Sequence, residues 1–309
     1  MLNQPKQAET AQQGMHATRR VLLVLENLPV PHDRRMWQVA TSLRRAGYHV
    51  SVISPRPPDE PEYCELEGIH LYRYPMLPPT HSVGNFVREA LYCLWHTFRL
   101  SKRVEKEQGF DVFHAGNPLD IFWSIGLYYK LRGKKFVYEH RDLCPELYEV
   151  RFKKRGPFYH LQVWFERLSY RFADMIIEMN ESYRQNALQR GRARPDKIVI
   201  VRSGPRASEF YPVEPDPALK CGKRFLVCYL GVMGPQDGTD TFVKAAHHIM
   251  HKRGFTDVHF VAIGSGDCLE EVKQLAHELG MQEHITFTGF VRDRELLVRY
   301  LSTCLLYTS

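Results

Sequence analysis

Short apolar runs alternate along the chain with longer segments in which apolar residues recur every three or four positions. The runs are typical of parallel strands buried on both faces, and the longer segments are typical of amphipathic crossover helices. The predicted strands before residue 210 are Val21–Leu25, His49–Ile53, His70–Tyr74, Val112–Ala115, Lys135–Glu139, Met175–Glu178 and Ile198–Val201. The predicted helices between them are Arg34–Ala46, Phe86–Glu107, Ile121–Leu131, Tyr159–Arg171 and Glu181–Arg190. This alternation predicts a doubly wound α/β domain.

The first predicted helix carries end signals on both sides. Asp33 precedes it and suits an N-cap, because its carboxylate can accept from the free backbone N–H groups of the first turn. Gly47 follows it and suits the left-handed C′ position. The first strand–helix–strand unit is therefore well defined by sequence.

A proline-rich stretch, Tyr211–Pro217, interrupts the alternation and cannot continue a helix or a central strand. The alternation then restarts with strands at Phe225–Leu230, Val258–Ile263 and Ile285–Phe287 and helices at Asp240–Lys252, Cys268–Leu279 and Arg292–Leu301. We therefore expect a disordered tail over 1–19, one domain over 20–210, a linker over 211–222 and a partial second domain over 223–309. The sequence stops where a next strand should form, so we expect truncation there, and whether 304–309 is native sequence stays open.

Composition fits a globular protein with 44% hydrophobic and 25% charged residues, and the formal charge of +7 favours an anionic partner. The N-terminal residues lack the apolar core of a signal peptide, and no apolar run reaches the ~20 residues needed to span a bilayer. Scattered cysteines without paired spacing predict reduced thiols and a cytoplasmic location. They are Cys64, Cys93, Cys144, Cys221, Cys228, Cys268 and Cys304.

Five motifs, in this order, resemble a bacterial subgroup of glycosyltransferase family 4. They are PHDRR at 31–35, YEHRDLCPELY at 138–148, NESY at 180–183, VRSGP at 201–205 and GVMGPQDG at 231–238. The resemblance implies the GT-B fold, which has two Rossmann-like doubly wound domains facing a cleft, here with the second one incomplete. It also implies retaining transfer of a sugar from a nucleotide diphosphate sugar to a hydroxyl acceptor, in cell-surface polysaccharide or glycolipid synthesis, without a metal cofactor.

His140 ends a predicted strand, and ligands of doubly wound sheets bind at the carboxyl ends of strands. The resemblance places at His140 the family's histidine near the transferred sugar; a strand-end cap or core hydrogen-bonding role is the alternative. Asp142 and Glu146 are either ligands or first-turn residues of a helix, and as paired carboxylates they also fit a glycosidase, which the two-domain layout disfavours. The residues expected on the acceptor side are His32, Asp33, Arg34 and Asp142.

Glycine-rich loops follow two strands of the second domain. The loop at 231–238 leads into a helix, and its backbone N–H groups suit the diphosphate of a donor. This loop lacks the Arg and Lys that hold the donor phosphates in most members of the family. Its backbone N–H groups would therefore be the main hydrogen-bond donors to the diphosphate. Leu269 stands where the third glycine of a dinucleotide motif would be, which argues against an NAD-dependent dehydrogenase. The residues expected on the donor side are Ser203, Gly204, Gly231, Gly234, Gly238, Gly264 and Gly266.

The stretch from Arg151 to Phe172 interleaves basic and aromatic residues. It suits either an anionic membrane surface that would hold a lipid-linked acceptor nearby, or a helix with an aromatic core face and solvated charges. Nucleic acid is not expected as a partner, because no helix-turn-helix, RNA-recognition or zinc motif accompanies these residues. Two other functions stay open: a non-catalytic sugar-nucleotide or glycan-binding module, and a GT-B nucleotide-sugar epimerase.

Overall fold

A computed structural model describes residues 19–77, 83–118, 120–205 and 210–308. The chain divides into two compact units, one of Met1–Glu149 and Lys154–Ser203 and the other of Val150–Lys153 and Gly204–Ser309. The predicted disordered tail lies outside the described residues except for Arg19.

The first unit is built on an eight-stranded sheet in the order β3-β4-β2-β1-β5-β6-β7-β8. Its strands are β1 (Arg20–Val24), β2 (His49–Arg56), β3 (Tyr63–Leu66), β4 (Ile69–Pro75), β5 (Val112–Gly116), β6 (Lys135–His140), β7 (Met175–Glu178) and β8 (Ile198–Ile200). All neighbours pair in parallel except β3, which is antiparallel to β4. The seven strands predicted from sequence are confirmed.

Six helices are described among these strands, and all except α4 were predicted from the sequence. They are α1 (Arg34–Arg45), α2 (Val83–Glu107), α3 (Trp123–Lys130), α4 (Cys144–Phe152), α5 (Pro157–Phe172) and α6 (Glu181–Gln189). Asp33 is the N-cap of α1 and accepts from the backbone N–H of Met36, and Gly47 after its end has φ +86°. Both predicted end signals are confirmed.

The core of the first unit lies on both faces of the sheet. Successive residues of β1 alternate between two hydrophobic clusters: Leu22 and Val24 belong to one, and Val21 and Leu23 belong to the other. Because side chains of a strand point alternately to opposite faces, β1 is covered on both sides. This explains why β1 is an uninterrupted apolar run.

The second unit contains a four-stranded parallel sheet in the order β11-β10-β9-β12. Its strands are β9 (Phe225–Leu230), β10 (Val258–Ile263), β11 (Ile285–Gly289) and β12 (Leu306–Thr308). Its helices are α7 (Thr239–His247), which a π-helical turn over His248–Lys252 extends, α8 (Leu269–Glu278) and α9 (Arg294–Thr303). Strand β12 forms where the sequence called for a next strand.

The proline-rich stretch is attached to the second unit. The backbone N–H of Val213 donates to Ser302 Oγ at 3.0 Å, and that of Asp216 donates to Thr303 Oγ1 at 2.8 Å. Pro217–Lys220 forms a single 3-10 turn. The boundary between the units falls at Ser203–Gly204, ahead of these prolines.

Two elements were missing from the sequence prediction. Strand β3 is short, polar and at the sheet edge, so it has neither an apolar run nor alternation. Helix α4 has almost no amphipathic periodicity and begins at Cys144-Pro145, where proline suits the first turn. Neither element carries the pattern on which sequence assignment relies.

Candidate functional site

The strand order of the first sheet reverses direction at β1, which lies between β2 and β5. In doubly wound sheets, ligands bind outside the carboxyl ends of the strands at this switch point. The segments leaving β1, β5 and β6 there contain Asp33, Asn117 and Arg141. We call this region the switch edge.

Asn117 organises the switch edge. Its Oδ1 accepts from the backbone N–H groups of Arg141 at 2.6 Å and Asp142 at 3.0 Å, and its Nδ2 donates to the carbonyl oxygen of Asp142 at 2.7 Å. The same Nδ2 lies 3.2 Å from Asp120 Oδ1. One buried amide therefore fixes the backbone that follows β6, and no sequence motif had singled it out.

Arg141 and Asp33 form the charged pair of the switch edge. Arg141 Nη2 donates to Asp33 Oδ2 at 2.6 Å, while Asp33 Oδ1 caps α1. The Asp33 side chain is buried, and His32 and Arg34 on either side of it are exposed. Arg141 Nη1 is buried and has no hydrogen-bond partner within the described ranges.

Glu139, one residue before His140, anchors the start of α1 to the sheet. Its carboxylate accepts from Arg35 Nε and from His114 Nε2, the latter at 2.8 Å. Burial would raise the pKa of Glu139, but His114 and Arg35 outweigh it and lower that pKa to about 2. Arg35 also donates to the carbonyl oxygen of Val201 at 2.9 Å. This anionic anchor holds the Asp33 loop in place.

His140 lies beneath the switch edge with 0% of its surface exposed. Its Nδ1 is 2.8 Å from the Tyr170 hydroxyl and 3.1 Å from Glu178 Oε2, and its Nε2 is 3.8 Å from Glu166 Oε2. Burial would lower the pKa of His140, but the neighbouring carboxylates raise it above its usual value. Strand alternation turns the side chains of Glu139 and His140 to opposite faces of the sheet, and both are buried. The role of His140 near the sugar stays a prediction.

The two carboxylates that follow β6 have different surroundings. Glu146 forms an ion pair with Arg190, which also pairs with Glu166, so Glu146 serves to tie α4 to α5 and α6. Asp142 is partly buried, and that burial raises its pKa. Of the pair that suggested a glycosidase, only Asp142 lies at the switch edge.

Glu26 is a switch-edge residue that the sequence prediction missed. It follows β1 and is buried, and burial together with the charge of Glu89 raises its pKa to about 8. Cys93 Sγ lies 3.8 Å from Glu26 Oε2, and the charge of Asp142 also acts on the Glu26 carboxyl. An acidic residue directly after a buried strand was the available signal. Glu26 and Asp142 give the switch edge two carboxyl groups that can accept from or donate to a hydroxyl.

Glycines in the second unit allow the loops after β9 and β10 to pack closely. A Cβ on Gly264, which has φ +138°, would lie 1.9 Å from the carbonyl oxygen of Gly231. A Cβ on Gly266 would lie 2.6 Å from the carbonyl oxygen of Met233, whose N–H donates to Ser265 O at 3.1 Å. Backbone packing therefore requires glycine at these two positions, whether or not a nucleotide binds.

The loop after β9 ends at the N-terminus of α7. Gly238 is the N-cap residue with φ +67°, and Asp237 Oδ2 accepts from the backbone N–H of Gly234 at 2.8 Å. The first turn of α7 therefore follows the carboxyl end of β9, and its role in binding a diphosphate stays a prediction. Ser203 and Gly204 are exposed in the connection between the units.

Two features are absent from the described residues. Across that part of the chain, no helix is long and apolar enough to cross a membrane. In the same ranges, no three or more His, Cys, Asp or Glu side chains are grouped so that they could hold a metal ion.

The two α/β units, with a polar switch edge in one and close-packed glycine loops in the other, have the GT-B fold, which solved structures of 15–17% identity share. The chain belongs to the glycosyl transferase 4-like family: the model of that domain matches residues 32–204, and the model of the group 1 glycosyl transferases matches residues 213–309.

Relatives agree with this assignment. The chain is 36% identical, over 109 residues, to a GDP-mannose-dependent alpha-(1-6)-phosphatidylinositol monomannoside mannosyltransferase of Mycobacterium tuberculosis, a match that covers 30% of this chain and 28% of that protein. Sucrose-phosphate synthase of Thermosynechococcus elongatus superposes with a TM-score of 0.72 at 17% identity, over 94% of this chain and 74% of that one. Anabaena HepE, solved with UDP and glucose, gives a TM-score of 0.63 at 15% identity, over 94% and 73%.

Proposed function

We propose that the intact protein transfers a sugar, with retained anomeric configuration, from a nucleotide diphosphate sugar to a hydroxyl group of a cell-surface polysaccharide or glycolipid precursor. Family membership supports sugar transfer, and the mannosyltransferase relative and UDP-bound HepE support a nucleotide-sugar donor. The observation that carries the acceptor assignment is the switch edge, where the charge of Asp142 acts on the buried Glu26 carboxyl and Arg141 pairs with Asp33.

The proposed reaction requires no nucleophilic side chain. The acceptor oxygen forms a bond to the anomeric carbon, the bond from that carbon to the diphosphate oxygen breaks, and the hydroxyl proton passes to the leaving diphosphate. The switch edge would position the acceptor hydroxyl. In a reaction between two substrates, such positioning removes a large part of the activation barrier. The N-terminus of α7 would stabilise the diphosphate through its N–H groups.

A donor assay separates this function from its two alternatives. Protein expressed from the complete gene is incubated with radiolabelled UDP-glucose or GDP-mannose and a membrane extract. Label moved to an acceptor is the expected result. Bound but unchanged donor would instead indicate a binding module, and an isomerised donor sugar would indicate an epimerase.

We further propose that transfer needs no divalent metal, because backbone groups and a helix dipole replace it at the diphosphate. Activity should persist in excess EDTA. Complete loss that magnesium or manganese restores would contradict this.

We also propose that the protein works at the cytoplasmic face of a membrane, held there by exposed basic and aromatic side chains of the first unit. Lys154 and Arg155 before α5, and Trp164 on it, are exposed. Arg and Lys near an anionic surface contribute about 1 kcal/mol each.

A further inference from the structure

The loops after β9 and β10 carry acidic side chains and no basic ones. The segment 231–238 contains no Lys or Arg, and its only charged residue is Asp237. The segment 264–268 likewise has no basic residue, and its Asp267 is exposed. A nucleotide diphosphate that binds at these two loops therefore meets negative side-chain charge.

Asp237 is held by a backbone N–H group of its own loop. Its Oδ2 accepts from the N–H of Gly234 at 2.8 Å, and its own N–H donates to the carbonyl oxygen of Gly234 at 3.1 Å. A Cβ on Gly234 would lie 2.8 Å from Asp237 Oδ2, so glycine at this position lets the carboxylate come close. The two hydrogen bonds close a turn over 234–237 and keep the carboxylate against the loop backbone.

This carboxylate comes directly before helix α7. Gly238 is the N-cap residue, and the helix begins at Thr239. The N-terminus of a helix attracts anions, because its free N–H groups and the helix dipole provide partial positive charge. Asp237 therefore supplies an anion from the chain itself next to the helix N-terminus that we propose for the diphosphate.

The neighbouring N–H groups of the loop are used for packing. The N–H of Gly231 donates to the carbonyl oxygen of Ile263 at 3.1 Å, and that of Met233 donates to the carbonyl oxygen of Ser265 at 3.1 Å. Both hydrogen bonds join the loop after β9 to β10 and the loop that follows it. The N–H of Gly234 is different, because the release of one side chain frees it for a ligand.

An unsatisfied hydroxyl follows the same turn. The Thr239 side chain is buried with 2% of its surface exposed, and its Oγ1 has no hydrogen-bond partner among the residues that the structure describes. Buried polar atoms are nearly always hydrogen-bonded. The hydroxyl therefore indicates that a further polar group completes the first turn of α7.

From these contacts we infer that Asp237 competes with the donor diphosphate, because its carboxylate occupies the Gly234 N–H and has to leave it before a nucleotide diphosphate binds. The inference rests on the proposed function for the identity of the donor. When only a fraction of the molecules can bind, the apparent Kd rises by the reciprocal of that fraction. Repulsion between the carboxylate and the diphosphate raises it further. Asp237 thus favours release of the nucleotide diphosphate after transfer.

Calorimetry with UDP, GDP and ADP tests this competition on protein expressed from the complete gene, in the presence of EDTA. Asp237→Asn keeps an oxygen that accepts from the Gly234 N–H but removes the charge, so the Kd of the nucleotide that binds should fall about threefold. Asp237→Ala removes both the charge and the contact, and the Kd should fall about tenfold. Glu283→Gln, which removes one charge from an exposed position before β11, should change the Kd less than twofold.

The parent nucleosides separate an effect on the diphosphate from an effect on the rest of the site. Uridine, guanosine and adenosine carry no phosphate, so each should bind all four proteins with the same Kd within about twofold. Melting curves show which variants are folded. Asp237→Asn keeps the hydrogen bond of the turn and decides the question by itself if Asp237→Ala does not fold.

Four results would overturn the inference. Equal diphosphate affinity of Asp237→Asn and the unchanged protein would show no competition, and weaker binding by Asp237→Asn would show that the carboxylate organises the loop for the ligand. Weaker binding by Asp237→Asn that appears only when magnesium replaces EDTA would show that Asp237 holds a cation at the diphosphate. Absence of diphosphate binding by every one of these proteins would remove the site itself.

Failure of the inference and failure of the proposed function are distinguishable. Absence of sugar transfer in the donor assay, with the expected order of diphosphate affinities, would reject the transferase function and leave the competition by Asp237 standing. Sugar transfer with unchanged diphosphate affinity in Asp237→Asn would reject only the competition.

Discussion

Arg141 Nη2 donates to Asp33 Oδ2 at 2.6 Å, and this contact joins the segment after β6 to the N-cap of α1. The two residues are 108 positions apart in the chain. One carboxylate thus caps a helix with one oxygen and neutralises a buried guanidinium with the other.

We expect Asp33→Ala to lower the free energy of unfolding by about 2–4 kcal/mol. Loss of an N-cap costs about 0.5–2 kcal/mol, and a largely buried Arg141 would lose its counter-charge. Asp33→Asn should lower the free energy of unfolding by a smaller amount, because asparagine is an equally good N-cap. Urea denaturation measures all three proteins, and an unchanged midpoint for Asp33→Ala would show that the contact contributes nothing.

Glu26 should make stability depend on pH in the opposite sense to a salt-bridged carboxylate. Its pKa is about 8 in the folded protein, above its usual value, so the folded state holds a proton that the unfolded state has released. The stabilisation of the folded state by the protonated Glu26 carboxyl is fully present below about pH 4.5. It falls by roughly 1.4 kcal/mol per pH unit as the pH rises to about 8.

Glu26→Gln removes this titration without changing the shape of the side chain. Both proteins are denatured chemically between pH 5 and pH 8. The free energy of unfolding of the glutamine variant should exceed that of the unchanged protein by an amount that grows with pH. Parallel curves would mean that Glu26 has the same pKa in both states.

His140→Ala should destabilise the protein by about 3–5 kcal/mol, because it leaves Glu178 buried without its ion-pair partner, whereas Glu166 keeps its pair with Arg190. The raised pKa of His140 gives a second signature. Its stabilising contribution is full below the unfolded-state pKa of about 6.5 and is lost as pH rises through the folded-state value. A melting-temperature profile against pH for both proteins measures this.

The catalytic role predicted for His140 needs a separate readout. Turnover and donor affinity are measured on the fraction of His140→Ala that is folded. A loss on the order of 10²–10³ in turnover with unchanged donor affinity would support a place near the transferred sugar. Near-normal turnover per folded molecule would leave His140 with the structural role that its burial indicates.

Association with acidic vesicles should be salt-sensitive. Changing Lys153, Lys154 and Arg155 together to glutamate should reduce flotation with phosphatidylglycerol vesicles, and raising the salt should do the same to the unchanged protein, since screening shortens to ~3 Å at 1 M. Gln185→Glu on α6 is a control that adds negative charge elsewhere. Equal flotation of the triple variant and the unchanged protein would reject a role for this basic stretch.

The sequence determined the strands other than the edge strand β3, most of the helices and the caps of α1. Burial on both faces of a parallel sheet demands an apolar run such as 21–25, and an amphipathic stripe demands a period near 3.6, so both leave local patterns. The glycine loops of the second unit could also be recognised in the sequence. The backbone approaches so closely at Gly264 that no other residue fits, and the glycine therefore marks the loop.

Only the tertiary structure decided which side chains meet. Arg35, His114 and Glu139 come from separate elements, and the order of β1, β5 and β6 in the sheet brings them together. Helices that cover both faces of the sheet buried His140, and the fold left Arg141 Nη1 buried without a hydrogen-bond partner among the described residues. Local periodicity sets what each element buries, but the partner it buries against is fixed by strand order and helix packing.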